Sequence, residues 1–276
     1  MQPILSADGT IKLMYSQGHA AVILPVGSDR FTLCVSSQVG CAVGCVFCQT
    51  AKLGFKENLT SEAIVQQFLD ATTYLQETLP TQKSGKELFT SIVFMGMGEP
   101  LLNTKEVLAA CTTLNKEHFY AYHNITISTS GVLGGMNCVL GFPGSLHLAL
   151  SLHSPFDDVR TQLVPHTRAT VKELTSFCQA YNAKRKFKIM IEYVMIAGLT
   201  DRKEDVHELK RLHFGEYTNF NLIPLNGALV FEGKKQVSSS LDRCEEVKEE
   251  LRRAGYKCFI RRHKGQDIDA ACGMLQ

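Results

Sequence analysis

Short apolar, β-branched runs alternate with longer amphipathic segments along almost the whole chain. Phe31–Ser36, Leu88–Met95, Asn124–Ser128, Leu146–Leu152, Lys188–Met195, Asn219–Pro224 and Tyr256–Arg261 read as strands. Ser61–Glu77, Thr104–Glu117, Thr170–Ala183, Asp201–Phe214 and Ser239–Ala254 read as helices. Two of these helices open on short polar side chains that suit capping, Thr60-Ser61-Glu62 and Ser239-Ser240-Leu241-Asp242. Repeated strand–helix alternation predicts an α/β fold with a parallel sheet, either doubly wound and open or a complete or partial (β/α) barrel. Both arrangements place a ligand site at the C-terminal ends of the strands.

Ahead of the first strand, Ile11–Tyr15 and Ala21–Leu24 read as a β-hairpin joined by Ser16-Gln17-Gly18-His19. The chain carries no long linker, internal repeat or low-complexity tract, so a single domain is expected. It divides into an N-terminal β extension (1–30), a core (31–230) and a C-terminal helix, strand and cysteine loop (231–276). The start of the chain lacks a basic stretch followed by a long apolar run, so no signal peptide is read there. Apolar runs such as Ser91–Met95 are too short to span a bilayer. A cytoplasmic protein with no membrane partner is the expectation. A net charge of +2 argues against a surface that coats nucleic acid throughout, but leaves room for a local basic patch.

The strand ends carry the chemistry. The second strand runs into Met95-Gly96-Met97-Gly98-Glu99-Pro100, where glycines admit close approach of a ligand to the backbone. The third meets Ser128-Thr129-Ser130-Gly131, the fourth Ser151-Leu152-His153, and the sixth Pro224-Leu225-Asn226-Gly227. Singly, each is a common turn, and a lone His153 is more often structural. Polar groups at successive ends of one parallel sheet describe a site.

The first strand leads into "CAVGCVFC", with Cys41, Cys45 and Cys48 at spacings of four and three. Ten cysteines in a chain expected in a reducing compartment point to ligands, redox groups or core residues rather than structural disulfides. Cys111, Cys138, Cys178, Cys244 and Cys258 lie in helix-like or strand-like apolar contexts and read as small hydrophobes or incidental. Thiolates suit zinc or iron–sulfur clusters. Structural zinc wants a fourth ligand at comparable spacing, which nothing downstream supplies. A cluster held by three thiolates leaves one iron open to another ligand.

This loop, with Phe47 before its last cysteine, resembles the signature of the radical S-adenosylmethionine (SAM) superfamily, and "GMGEP" resembles its SAM amino-group motif. The blocks "LCVSSQVGCAVGCVFCQTAKLGF", "FMGMGEPLLN", "ITISTSGV", "LALSLHSPFDDVR", "NLIPLN" and "GQDIDAACG" resemble more narrowly the RlmN/Cfr family of adenine methyltransferases, with "DIDAACG" nearer the RlmN branch. The resemblance covers Thr32 to Met274 and implies a partial (β/α)6 TIM-like radical SAM barrel. It implies a 4Fe–4S cluster on Cys41, Cys45 and Cys48, and SAM contacts at Gly98, Glu99, Ser128, Ser151, His153 and Asn226, with Ser130 a second choice. Carbon 2 or carbon 8 of adenine has no nucleophilic lone pair, so it cannot attack SAM directly. In the family, a cysteine first takes a methyl group from SAM, and a radical formed on that methyl group adds to the ring. A second cysteine then resolves the protein–RNA crosslink as a disulfide. By position, Cys272 matches the methyl-bearing residue and Cys34 the resolving one.

The resemblance thus implies methylation of carbon 2 of an adenosine in ribosomal or transfer RNA, with a flavodoxin or ferredoxin-type electron donor. Family members carry an accessory domain before the barrel and a proton-accepting glutamate on the hairpin. Here about thirty residues precede Thr32, and Ala20 or Ala21 stands at the glutamate's position, with His19 a weak substitute. These departures keep open a shortened homologue acting on a small molecule, a peptide or another RNA. More distant alternatives are a non-catalytic iron–sulfur or zinc protein that binds nucleic acid. Lys184-Arg185-Lys186-Phe187-Lys188, Lys234-Lys235 and Arg261-Arg262-His263-Lys264 are local positive runs. The last leads to Cys272 and is placed to steer a phosphate backbone.

Overall fold

The computed structural model describes residues 1–27, 29–185 and 188–276. Strands β1 (Gln2–Leu5), β2 (Ile11–Met14) and β3 (Ala20–Pro25) form an antiparallel meander, one strand larger than the expected hairpin. After β4 (Phe31–Cys34), the short strands β5 (Gln38–Gly40) and β6 (Phe55–Asn58) pair around helix α1 (Gln49–Lys52). Strand–helix alternation then begins with α2 (Ser61–Thr78), α3 (Gly85–Leu88), β7 (Phe89–Phe94), α4 (Thr104–Lys116) and β8 (Ile125–Thr129). It continues through α5 (Leu133–Gly141), β9 (His147–Ser151), α6 (Asp157–Leu163), α7 (Val171–Arg185), β10 (Ile189–Met195), α8 (Lys203–Arg211) and β11 (Thr218–Pro224). A hairpin of β12 (Leu229–Phe231) and β13 (Lys234–Gln236) precedes α9 (Leu241–Arg253) and β14 (Lys257–Ile260).

The main sheet has the order β1-β2-β3-β4-β7-β8-β9-β10-β11-β14. Every pairing from β4 to β14 is parallel. The six strands β4 and β7 to β11 form the expected partial barrel, and the C-terminal extension adds β14 beside β11. The sheet ends in β1 and β14, so the barrel stays open.

Side-chain alternation gives this sheet its two faces. Ile127, Leu150, Ile191 and Leu222 are fully buried in a core shared with Phe68, Val107, Leu174 and Val247 of the helices. Burying each such side chain stabilises the fold by about 1.5–3 kcal/mol. Their neighbours Ser128, Ser151, Glu192 and Ile223 point the other way and line a cavity. The caps expected for two helices form: Thr60 accepts from the N–H of Ala63 at 3.2 Å, and Ser240 from that of Arg243 at 3.1 Å.

Where β2 turns into β3, His19 is 1% exposed and stacks on Tyr15, with ring centroids 4.4 Å apart. Neither ring nitrogen has a hydrogen-bond partner. Burial lowers its pKa from 6.5 to about 4. The unfolded chain therefore takes up a proton near pH 6.5 that the folded chain refuses until about pH 4. Stability contributed by neutral His19 is present above pH 6.5 and drains away as pH falls through that window. His19→Phe should flatten this decline, measured as the urea midpoint at pH 7, 5.5 and 4.5.

Candidate active site

The cysteine loop spans the gap between β5 and β6. Gly40 has φ +72°, and a Cβ on it would lie 1.8 Å from the carbonyl oxygen of Gly54, so no side chain fits. At this closure the N–H of Cys41 donates to that same oxygen at 3.1 Å. Farther along, the loop is tied to α6 and its following turn by Val46 N–H to the Leu163 carbonyl (3.1 Å) and His166 N–H to the Val43 carbonyl (3.3 Å). Cys41, Cys45 and Cys48 consequently line one cavity at the C-terminal edge of the sheet, about 1050 Å³ with its open mouth. Among the described residues, no three His, Cys, Asp or Glu side chains converge as one metal ion requires. A mononuclear site draws its ligands to within about 2.3 Å of one atom. A 4Fe–4S cluster gives each thiolate its own iron, so three thiols that line one cavity without converging on a point fit the cluster. Burial pushes the Cys41 thiol up to about 11 and also raises the Cys45 thiol, so loading must displace thiol protons.

Across the same cavity stands Glu99. One carboxylate oxygen accepts from both the N–H and the hydroxyl of Ser130 at 2.7 Å, and the other from Leu101 N–H at 3.1 Å. Its own N–H donates to Gln38 Oε1 at 2.8 Å, and Gln38 Nε2 donates to Asn58 at 2.8 Å. Burial raises the Glu99 pKa, and the Ser130 bonds oppose that rise. Ser130, whose carbonyl accepts from the Arg160 guanidinium, thus serves to hold Glu99. Gly98 (φ +97°) packs so tightly that an added Cβ would sit 2.5 Å from Gln38 Cβ. Ser128 and Ser151 line the cavity between Glu99 and His153. His153 takes the left-handed conformation (φ 62°), and its Nδ1 accepts from Val194 N–H at 3.1 Å. Burial first, then Arg160, lowers its pKa to about 3, so the neutral ring carries its proton on Nε2.

Cys272 lies between this cavity and a second one of about 1310 Å³ with its mouth. The second cavity also holds Cys34, on β4, together with Val22, Leu24 and Met95. Asn226 donates to the Cys272 carbonyl at 3.1 Å and accepts from Gln266 at 3.0 Å. Beside the two thiols, Arg261 lies 3.9 Å from Glu192, which also accepts from Asn221 at 2.9 Å. Burial raises the pKa of Cys272, and Arg261 opposes this. Burial also pushes Cys34 up to about 12. All ten cysteines are free thiols. Cys111, Cys178, Cys244 and Cys258 are buried, whereas Cys138 is exposed.

The radical SAM superfamily model matches residues 35–211. The chain is 36% identical over 282 aligned positions to the dual-specificity RNA methyltransferase RlmN of Nitratidesulfovibrio vulgaris, covering 98% of this chain and 75% of that protein. It is 37% identical to the protein of the same name from Lawsonia intracellularis, covering 98% and 76%. The chain belongs to the RlmN family of the radical SAM superfamily. A crystal structure of a radical SAM methyltransferase from Sphaerobacter thermophilus superposes with a TM-score of 0.89 at 35% identity, covering all of this chain and 80% of that one. A 4Fe–4S cluster and SAM are the cofactors of this superfamily.

Several residues of this RlmN-family chain fall elsewhere than its sequence suggested. Arg261, the residue after β14, is tied to β11 by its N–H to the Leu222 carbonyl at 2.8 Å and faces inward against Glu192, lining both cavities, while Arg262, His263 and Lys264 line the second one. Arg185 donates to the carbonyls of Leu140 and Phe142, which end α5, rather than standing free. Lys186 and Phe187 of the same run lie outside the described residues. Lys234 and Lys235 are exposed on β13. His19 lines neither cavity.

Gln38, Gln67, Asn103 and Arg160 hold the site together without having drawn notice. Gln67 bonds both the N–H and the carbonyl of Ser36, and Asn103 donates to the carbonyls of Ser37 and Leu59. Their one available signal was a polar residue inside an otherwise apolar helical stripe, as at Gln67. Gly98→Ala should destabilise the protein by about 1–3 kcal/mol through its positive φ and more through the overlap with Gln38. Urea denaturation would read this as a lowered midpoint with unchanged slope.

Proposed function

We propose that this chain is an RNA-modifying radical SAM methyltransferase, acting on carbon 2 of an adenosine. One observation carries the reading: Cys272 lines both the cavity of the three cysteines and the cavity that holds Cys34. A single thiol so placed serves two half-reactions, one beside the cofactors and one beside the substrate.

Cys41, Cys45 and Cys48 would hold the cluster. Gly98, Glu99, Ser128, Ser151, His153 and Asn226 would hold SAM, with Ser130 acting through Glu99. Bound together, these cofactors supply a methyl donor and a one-electron route to a carbon radical. The chain supplies position. The Glu99 carboxylate, fixed by Ser130 and Leu101, is built to receive an ammonium group. The Nε2–H of neutral His153 offers a donor without adding charge. At Cys272 the thiol must lose its proton before it accepts a methyl group; Arg261 favours the thiolate where burial disfavours it. Val22, Leu24 and Met95 line the second cavity with apolar surface suited to a flat base, and Arg262 and Lys264 add positive charge to its lining for phosphate. Cys34, in the same cavity, would attack the Cys272 sulfur to free the product as a Cys34–Cys272 disulfide forms.

The whole chain, 1–276, is read as one working domain, since the meander and the Cys272 loop both border the second cavity. A flavodoxin or ferredoxin is the proposed reductant and the cytoplasm the proposed location. Among the described residues, no helix is long and apolar enough to cross a membrane. A second reading, the same chemistry on a different substrate, draws on the alanine, Ala20 or Ala21, that stands where the family pattern has a carboxylate; of the two, Ala20 packs with Cys34.

The test is anaerobic reconstitution with SAM, a reductant and candidate RNAs. Mass spectrometry should find a methyl group on Cys272 and 2-methyladenosine in the RNA. Cys34→Ala should accumulate a covalent protein–RNA adduct, seen as a shifted band; normal turnover without adduct would remove Cys34 from the scheme. Cys41→Ser should abolish both the iron–sulfur absorbance and 5′-deoxyadenosine formation.

A further inference from the structure

The segment that carries Cys272 has little regular structure. Between β14 and residue 276 it forms one 3₁₀ turn, Gln266–Ile268, closed by Asp269 in the left-handed conformation (φ 51°). Such a segment is held by its neighbours. On the barrel side, Asn226 donates to the Cys272 carbonyl, Gln49 N–H to the Gly273 carbonyl at 2.7 Å, and Thr50 Oγ1 to the Leu275 carbonyl at 2.6 Å.

The other side is held by the N-terminal meander, far from the cofactor residues in sequence. In the turn between β1 and β2, Ser6 Oγ and Ala7 N–H donate to the two oxygens of Asp267 at 2.6 and 3.0 Å. In return Asp8 accepts from Gly265 N–H at 2.8 Å, while its other oxygen accepts from Thr10 N–H at 2.9 Å and keeps the turn in shape. Gly265 leaves no room for a side chain, since a Cβ would lie 2.9 Å from both Thr10 Cγ2 and Ala270 Cβ. On β2, Lys12 is only 5% exposed, and its ammonium faces the carbonyls of Ile268 and Asp269 at 3.5 and 3.4 Å. Among the described residues it makes no ion pair. A buried ammonium is costly without partners, and here the loop supplies them.

We propose that the meander is a clamp that sets the reach of the Cys272 thiol, with Asp8 and Lys12 as positioning residues. The clamp holds the loop at a height where one sulfur borders both cavities. Loosening it lets the thiol swing toward solvent while the cysteine loop and Glu99 stay in place. The catalytic consequence rests on the function proposed above; the clamp itself does not.

The experiment compares wild type, the double variant Asp8→Ala/Lys12→Met and the milder variant Asp8→Asn, whose single side-chain oxygen can accept from only one of the two N–H groups. Iodoacetamide labelling of the folded protein, read peptide by peptide, reports the exposure of each thiol. In the double variant, labelling of Cys272 should rise on the order of tenfold, as expected for a local opening, while Cys178, buried in the main core away from the loop, stays near its wild-type rate. Reconstituted double variant should form 5′-deoxyadenosine near the wild-type rate but methylate Cys272 roughly tenfold more slowly, a split that general unfolding would not produce. Asp8→Asn, which keeps one of the two acceptor bonds, should raise Cys272 labelling by less than the double variant does. Unchanged Cys272 labelling in the double variant, or equal gains at Cys272 and Cys178, would overturn the clamp. Selective Cys272 labelling together with no methyl group on wild-type Cys272 would uphold the clamp and instead overturn the methyl-transfer role.

Discussion

A carboxylate buried with the right donors organises the site. Glu99 is 4% exposed, and its four bonds, one through its own N–H, join the β5–β6 hairpin, the glycine turn after β7 and the serine turn after β8. Burying a charged group without such donors costs several kcal/mol. The network therefore forms as a unit or not at all, and it brings the cysteine loop and the strand ends into one frame. Arg160, whose guanidinium reaches the carbonyls of Ser130 and Ser151, extends that frame to α6 and the third and fourth strand ends.

The parallel sheet turns this local order into a working face. Because the strands run the same way, residues just past their ends accumulate at one edge. Alternation then sends every second side chain there toward the cavity instead of the helices. Ser151 and Glu192 are register partners on β9 and β10, and Asn221 stands opposite Glu192 on β11. Chemistry is thus laid out by strand register, while specificity falls to the irregular segments around the second cavity.

Much of this was legible in the residues. The seven strands from Phe31 onward and the five long helices were marked by periodicity, and their ends agree to within a few positions because caps such as Thr60 and Ser240 are local signals. The helix Leu133–Gly141 escaped notice because Gly134, Gly135 and Gly141 dilute its pattern, although Gly135 packs too close to Leu101 and Thr104 to bear a side chain. The short pairs β5–β6 and β12–β13 have too few residues to show a period. At the site, spacing exposed Cys41, Cys45 and Cys48, and glycine-rich turns exposed Glu99. What stayed hidden depends on contacts between distant segments. The inward turn of Arg261, the use of Ser130 as a support for Glu99, and the contacts of Lys12 are all long-range, and no local pattern encodes them.

The Cys272 loop is fastened to Ser6, Asp8 and Lys12 across more than 250 positions of chain, and to Thr50 across 225. Closing spans of that length carries the largest entropic penalty, so such contacts form late in folding. During biosynthesis the barrel and its cysteine hairpin can therefore take shape while the second cavity still gapes on the side that this loop will cover. Until Cys272 arrives, the cavity of the three cysteines, which its loop also lines, is open on that side as well.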